Sequence, residues 1–171
     1  MNYQHQHIYR LTLTAILVAL ATCGASLFSF PIGVAKVAPV QHFINVLSGI
    51  LLGPEWALLQ ACLTSLLRNL LGTGTILAFP GSMIGAFLSG WFYQHTKKLW
   101  AGVSGEILGT GIIGAIIAQP VAALFMGTKG AIWIFVPSFF LSTLVGSLVA
   151  YLFLKAACPL INRCLIKQQE D

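Results

Sequence analysis

The stretch RLTLTAILVALATCGASLF, residues 10–28, holds one basic residue followed by eighteen positions without a charge. A helix crosses the hydrocarbon core of a bilayer in about 20 predominantly apolar residues, within a range near 17–25. This stretch meets that length. Working outward, five further apolar segments follow: from about Pro39 to Leu52, Trp56 to Leu71, Phe79 to Tyr93, Glu106 to Phe125 and Ile132 to Leu154. The second falls short of a straight span, so its ends are expected in the protein interior or at an interface. Clusters of Gly and Pro separate the segments, at Pro31 and Gly33, Gly53-Pro54, Gly72 to Thr75, and Gly127 to Gly130.

Composition agrees. Of 171 residues, 57% are hydrophobic and 8% charged, against about 25% charged in a typical soluble domain. So few charges cannot cover a water-soluble globule of this size, whereas hydrocarbon is a solvent that suits them. The expected organisation is a single transmembrane domain over residues 10–155, with cytoplasmic tails at 1–9 and 156–171. Leu20-Ala21-Thr22-Cys23 loosely resembles a lipoprotein cleavage site, but Thr22 is unusual before the Cys and more spans follow, so the first span is read as retained.

The net charge of +5 comes from scattered Lys and Arg between apolar runs. No basic face points to nucleic acid. The charges instead orient the chain. With the N-terminus inside, Arg10, Lys97, Lys98, Lys155, Arg163 and Lys167 are cytoplasmic, and only Lys36 and Lys129 are external. Both termini are therefore expected in the cytoplasm. Cys23, Cys62, Cys158 and Cys164 form no CxxC pair, which gives no support for a zinc site or a disulfide framework.

That orientation gathers polar residues at the external helix ends. Lys36, Gln41, His42 and Asn45 fall at the first connection, Arg68, Asn69, Thr73, Thr75 and Ser82 at the second, and Gln119, Thr128, Lys129 and Ser138 at the third. The cytoplasmic halves are poorer, with Glu55, Gln60 and Glu106 the main exceptions. Polar groups within a membrane are costly and face a cavity or a partner, so a shallow outward-facing pocket is expected. His42 and Asn45, three apart, share a helical face, as do Gln41 and Asn45, four apart. Two readings stand for Arg68: snorkelling to the interface, or a pocket donor that also clamps the Gly-rich turn after it. Lys36 is either a surface charge or a gate contact. Gln119 either satisfies the kink at Pro120 or touches ligand. Trp133 is either an interfacial anchor or a stacking partner.

Small residues four apart mark close helix packing: Ala15 with Ala19, Ala21 with Ala25, Gly81 with Gly85, and Gly105 with Gly109. On the first span they also suit a docking face. The phosphate-loop motif is missing, as are HExxH, GxSxG and a carboxylate pair within the spans. A small binding protein without an ATP site needs a partner to drive uptake.

Phe28 to Lys36, Pro39-Val40-Gln41-His42 with Asn45, Thr64 to Thr75, and Phe79 to Ala86 resemble the substrate-binding S components of energy-coupling factor (ECF) vitamin transporters. More closely, they resemble the ThiW family, assigned to the thiazole precursor of thiamin. These motifs cover mainly residues 10–93, and the C-terminal half matches in pattern. The resemblance implies an all-α bundle of six transmembrane helices in the cell membrane. It implies an external pocket closed by the first loop, and docking through an AxxxA motif matched by Ala15 and Ala19, with Ala21 and Ala25 as a second register. It also implies a transmembrane coupling subunit, two cytoplasmic ATPases that use ATP, no cofactor in this chain and no catalysis. The implied ligand is 4-methyl-5-(2-hydroxyethyl)thiazole. Asn45, Asn69 and Ser82 suit its ring nitrogen and hydroxyl, while Arg68 and Lys36 suit a phosphorylated form. Rival readings are an S component for another heterocyclic vitamin precursor, a self-sufficient carrier, a membrane enzyme using Arg68 and His42, and an assembly subunit without a ligand.

Overall fold

The computed structural model describes the backbone of residues 3–32, 35–127 and 129–170, and side chains over 4–30, 37–127 and 129–157. The side chains of Lys36, Cys158 and Cys164 lie outside these.

Six helices form a bundle among the described residues. They are α1 (Tyr3–Leu27), α2 (Pro39–Leu52), α3 (Pro54–Leu70), α4 (Ala78–Thr96), α5 (Leu99–Met126) and α6 (Val136–Glu170). The all-helical expectation misses one element. Between α1 and α2, strands β1 (Phe30–Ile32) and β2 (Ala35–Val37) pair antiparallel, with Phe30 opposite Val37. α1 takes in residues 3–9, and α6 runs on to Glu170. The boundary shift that bears on the site is in α5. Two further turns precede Glu106, so that residue lies inside the helix rather than at its start.

Burial is inverted relative to a soluble protein. Leu, Ile, Phe and Trp side chains cover the outside, while Gln41, Asn45, Gln60, Arg68 and Glu106 are buried. Water would expel those apolar groups and solvate those polar ones, so the arrangement suits an apolar solvent. Three helical stretches, Gln4–Leu27, Leu99–Met126 and Val136–Ala157, are long and apolar enough to cross a membrane. The 14-residue α2 is about 21 Å long at 1.5 Å per residue, well short of a bilayer core. It sits centrally, packed against α1, α3, α4, α5 and α6.

Glycines bring α4 and α5 together. A side chain on Gly109 would lie 2.6 Å from the Cα of Gly85, and one on Gly114 would strike the Cα of Gly81. On α4 these partners are four apart, but on α5 they are five apart. Five residues turn an α-helix well past one revolution. The structure resolves the mismatch with a π-helical stretch, Gly109–Gly114, whose i→i+5 bonding keeps both glycines on the α4 side.

On α1 the two small-residue registers separate. Ala21 and Ala25 are fully buried within the bundle, while Ala15 and Ala19 lie on an exposed face.

Candidate functional site

The α2–α3 turn at Gly53 lies beside Gln94 near the end of α4. The opposite end of the bundle holds a cavity lined by Gln41, His42, Arg68, Thr75, Ser82 and Thr110, with Ala38, Ala78, Gly81, Phe139 and Ser142 completing the wall. Its volume of about 40 Å³ gives room for about three water molecules. Proline at the first position of α2 suits a helix start, where its missing N–H has no partner to lose. That start carries Gln41 and His42 to the cavity. The base of the β-hairpin closes one side, where the Ala38 N–H donates to Ser142 Oγ at 3.0 Å.

Arg68 is 3% exposed, so it does not snorkel to an interface. It donates through Nη1 to Gln41 Oε1 and through Nη2 to the Thr73 carbonyl at 3.2 Å. The clamp on the Gly-rich turn runs both ways, because the N–H groups of Thr73 and Gly74 donate to the Arg68 carbonyl at 2.9 Å. Asn69 ties the same turn, donating to the carbonyls of Ser65 (2.8 Å) and Thr75 (3.0 Å). Arg68 forms no ion pair with a described carboxylate. A guanidinium has five donor hydrogens, and two are used here.

From Arg68 a directed chain of hydrogen bonds crosses the site. Gln41 Oε1 accepts from Arg68, so Gln41 Nε2 faces Ser65 Oγ (3.3 Å) and donates to it. Ser65 Oγ lies 2.8 Å from Ser82 Oγ, which itself donates to the Ala78 carbonyl at 2.7 Å. The Ser65 hydrogen therefore points to Ser82. Connected networks of this kind hold buried polar groups in one arrangement.

A second network lies deeper, around Glu106, which is fully buried. Its Oε1 is within hydrogen-bond distance of His42 Nδ1 (2.9 Å), Asn45 Nδ2 (3.0 Å) and Thr110 Oγ1 (2.9 Å). Its Oε2 is buried without a partner, facing Gly85. Glu106 thus meets the cavity through His42 and Thr110.

Of the residues singled out in sequence, Gln41, His42, Arg68, Thr75 and Ser82 share the cavity wall. Asn45 lies beneath it, bonded to Glu106 and the Ser82 carbonyl. Asn69 and Thr73 shape the adjoining turn. Gln119 donates to the Gly130 carbonyl at 3.2 Å, and Trp133 is 67% exposed; neither lines the cavity. Sequence reasoning missed Ser65, Phe139, Ser142 and the Glu106–Thr110 pair. For Glu106 the signal was present, a carboxylate beside a long apolar run, but the span was started at that residue and so placed it at a membrane edge.

Apolar helices around a part-open cavity with polar groups in its wall are the features of a multi-pass membrane protein. Residues 11–158 match the family model described as thiamine-precursor transporter protein (ThiW), and the chain belongs to that family of transporters. No curated protein and no solved structure matches it.

Proposed function

We propose that this chain is the substrate-binding subunit of an ATP-driven ECF importer in the cell membrane. On this reading all six helices are embedded, both termini are cytoplasmic, and the cavity opens outward. It binds 4-methyl-5-(2-hydroxyethyl)thiazole and does no chemistry on it. The observation that carries the reading is the cavity itself. It offers donors at Arg68, the imidazole of His42 and the ring of Phe139, a combination suited to a small aromatic heterocycle with one polar arm. At about 40 Å³ it is too small for a substituted thiazole, so ligand entry requires the β-hairpin or the start of α6 to move outward. The bond from Ala38 to Ser142 is the one that such a movement breaks.

Driving force comes from elsewhere, in a transmembrane coupling subunit and two cytoplasmic ATPases. The exposed pair Ala15 and Ala19 is the docking register, since Ala21 and Ala25 are already buried within the chain. Replacing Ala15 and Ala19 with Leu is expected to leave ligand affinity within about threefold, under 1 kcal/mol, while abolishing co-purification with the coupling subunit. An intact complex from the double variant contradicts the docking face. Vesicles test the division of labour. Labelled thiazole should enter only when the coupling subunit, the ATPases and ATP are present, and accumulation by vesicles holding this chain alone identifies a self-sufficient carrier.

A further inference from the structure

The hydrogen bonds around Glu106 determine which ring nitrogen of His42 carries a proton. Asn45 Nδ2 lies 3.3 Å from the Ser82 carbonyl. A carbonyl can only accept, so the amide is oriented with its NH₂ toward both Ser82 and Glu106. Glu106 Oε1 therefore accepts from Asn45 at 3.0 Å. As a carboxylate Glu106 has no hydrogen to give, so Oε1 is an acceptor toward its other neighbours too. The contact to His42 Nδ1 at 2.9 Å then requires the hydrogen on Nδ1. In a neutral imidazole that leaves Nε2 bare. His42 lines the cavity and Glu106 does not, so the free edge of the ring is the one available there. Nε2 has no partner among the described residues and is not among the atoms sealed from solvent.

We propose that Glu106 is a positioning residue that fixes His42 with a bare Nε2 toward the cavity, so that the site selects a ligand bringing an O–H or N–H donor. This deepens the thiazole reading and rests on it for the choice of ligand. The hydroxyl of the thiazole alcohol donates to His42 Nε2, and its ring nitrogen accepts from a spare Arg68 hydrogen. A phosphate ester ionised in place of that hydroxyl sets oxygen lone pairs against the Nε2 lone pair. A methyl ether has no hydrogen to give. Discrimination of this kind is strong when a buried polar group would be left unpaired.

Two measurements on the purified full chain test the proposal. In the first, ¹⁵N NMR of histidine-labelled protein without ligand should show one histidine with Nδ1 protonated and Nε2 bare, assigned to His42 by its loss in His42→Gln. A proton on His42 Nε2 overturns the proposal, whatever the ligand proves to be. In the second, calorimetry compares the thiazole alcohol with its methyl ether and with the 5-ethyl analogue. Wild type should prefer the alcohol by about 10- to 100-fold, the worth of one buried hydrogen bond. Glu106→Gln, which keeps an acceptor oxygen, should retain that preference, and Glu106→Leu should reduce it to about threefold or less. Equal binding of alcohol and ether by wild type overturns the proposal while leaving the thiazole assignment intact. Absence of binding by all three compounds removes the thiazole assignment, and the nitrogen resonances then decide the proposal alone.

Discussion

Arg68→Ala is expected to lower thiazole affinity by at least about 100-fold, or 2.7 kcal/mol, without removing the protein from the membrane. The side chain donates to Gln41 Oε1 and to the Thr73 carbonyl, and bonds from a charged donor contribute about 1.5–3 kcal/mol each. The substitution deletes the cation at the cavity wall and frees the Gly72–Thr75 turn. It also leaves Gln41, which is buried, free to rotate its amide. Arg68→Lys keeps the charge but has no planar fork to span both acceptors, so its affinity should fall between wild type and Ala. Calorimetry on the solubilised variants reads the effect, with surface labelling to check membrane content. Unchanged affinity in a folded Arg68→Ala protein removes Arg68 from the site.

Gly85→Ala is expected to destabilise the fold by about 3 kcal/mol, the upper end of ordinary overpacking. The new Cβ would strike Thr110 Oγ1 and stand 2.5 Å from Glu106 Oε2. Glu106 cannot withdraw easily, because its other oxygen is held by His42, Asn45 and Thr110. The helices cannot part cheaply either, since Gly109 meets the backbone of Gly85 at the same place. For a chain of this length the thermal midpoint should fall by roughly 6–12 °C. Gly72→Ala is the control. Its φ is +71°, in the left-handed region, but its Cβ would meet nothing within 4 Å, so it should cost only the left-handed penalty of about 1–2 kcal/mol. A Gly85→Ala midpoint at or above that of the control contradicts the α4–α5 contact.

The bundle was legible because its determinants are local. Apolar runs of the right length and the Gly and Pro clusters between them place the helices, and α2 emerged with the ends read for it, Pro39 and Leu52. Residues 30–37 were not readable as a hairpin, because each strand has only three residues and three residues show no alternation. The candidate site divides the same way. Gln41 and His42 announce themselves as polar residues in an apolar neighbourhood, and Arg68 does so beside a Gly-rich turn. What sequence could not supply is the pairing across helices. His42 and Glu106 stand 64 positions apart, and Ala38 and Ser142 stand 104 apart. Nor could it choose between the alanine pairs of α1, since a four-residue spacing states that two residues share a face but not which way that face points. The orientation of the Asn45 amide against Glu106 follows only once the Ser82 carbonyl is seen beside it.

The most direct test of the account is calorimetric titration of the purified chain with hydroxyethylthiazole, its phosphate and thiamin, each alone. The account predicts tight binding of the free thiazole, with the phosphate and thiamin weaker by at least about tenfold, or 1.4 kcal/mol. No heat with any of the three, from protein shown to be folded, or a preference for thiamin over the thiazole, would contradict it.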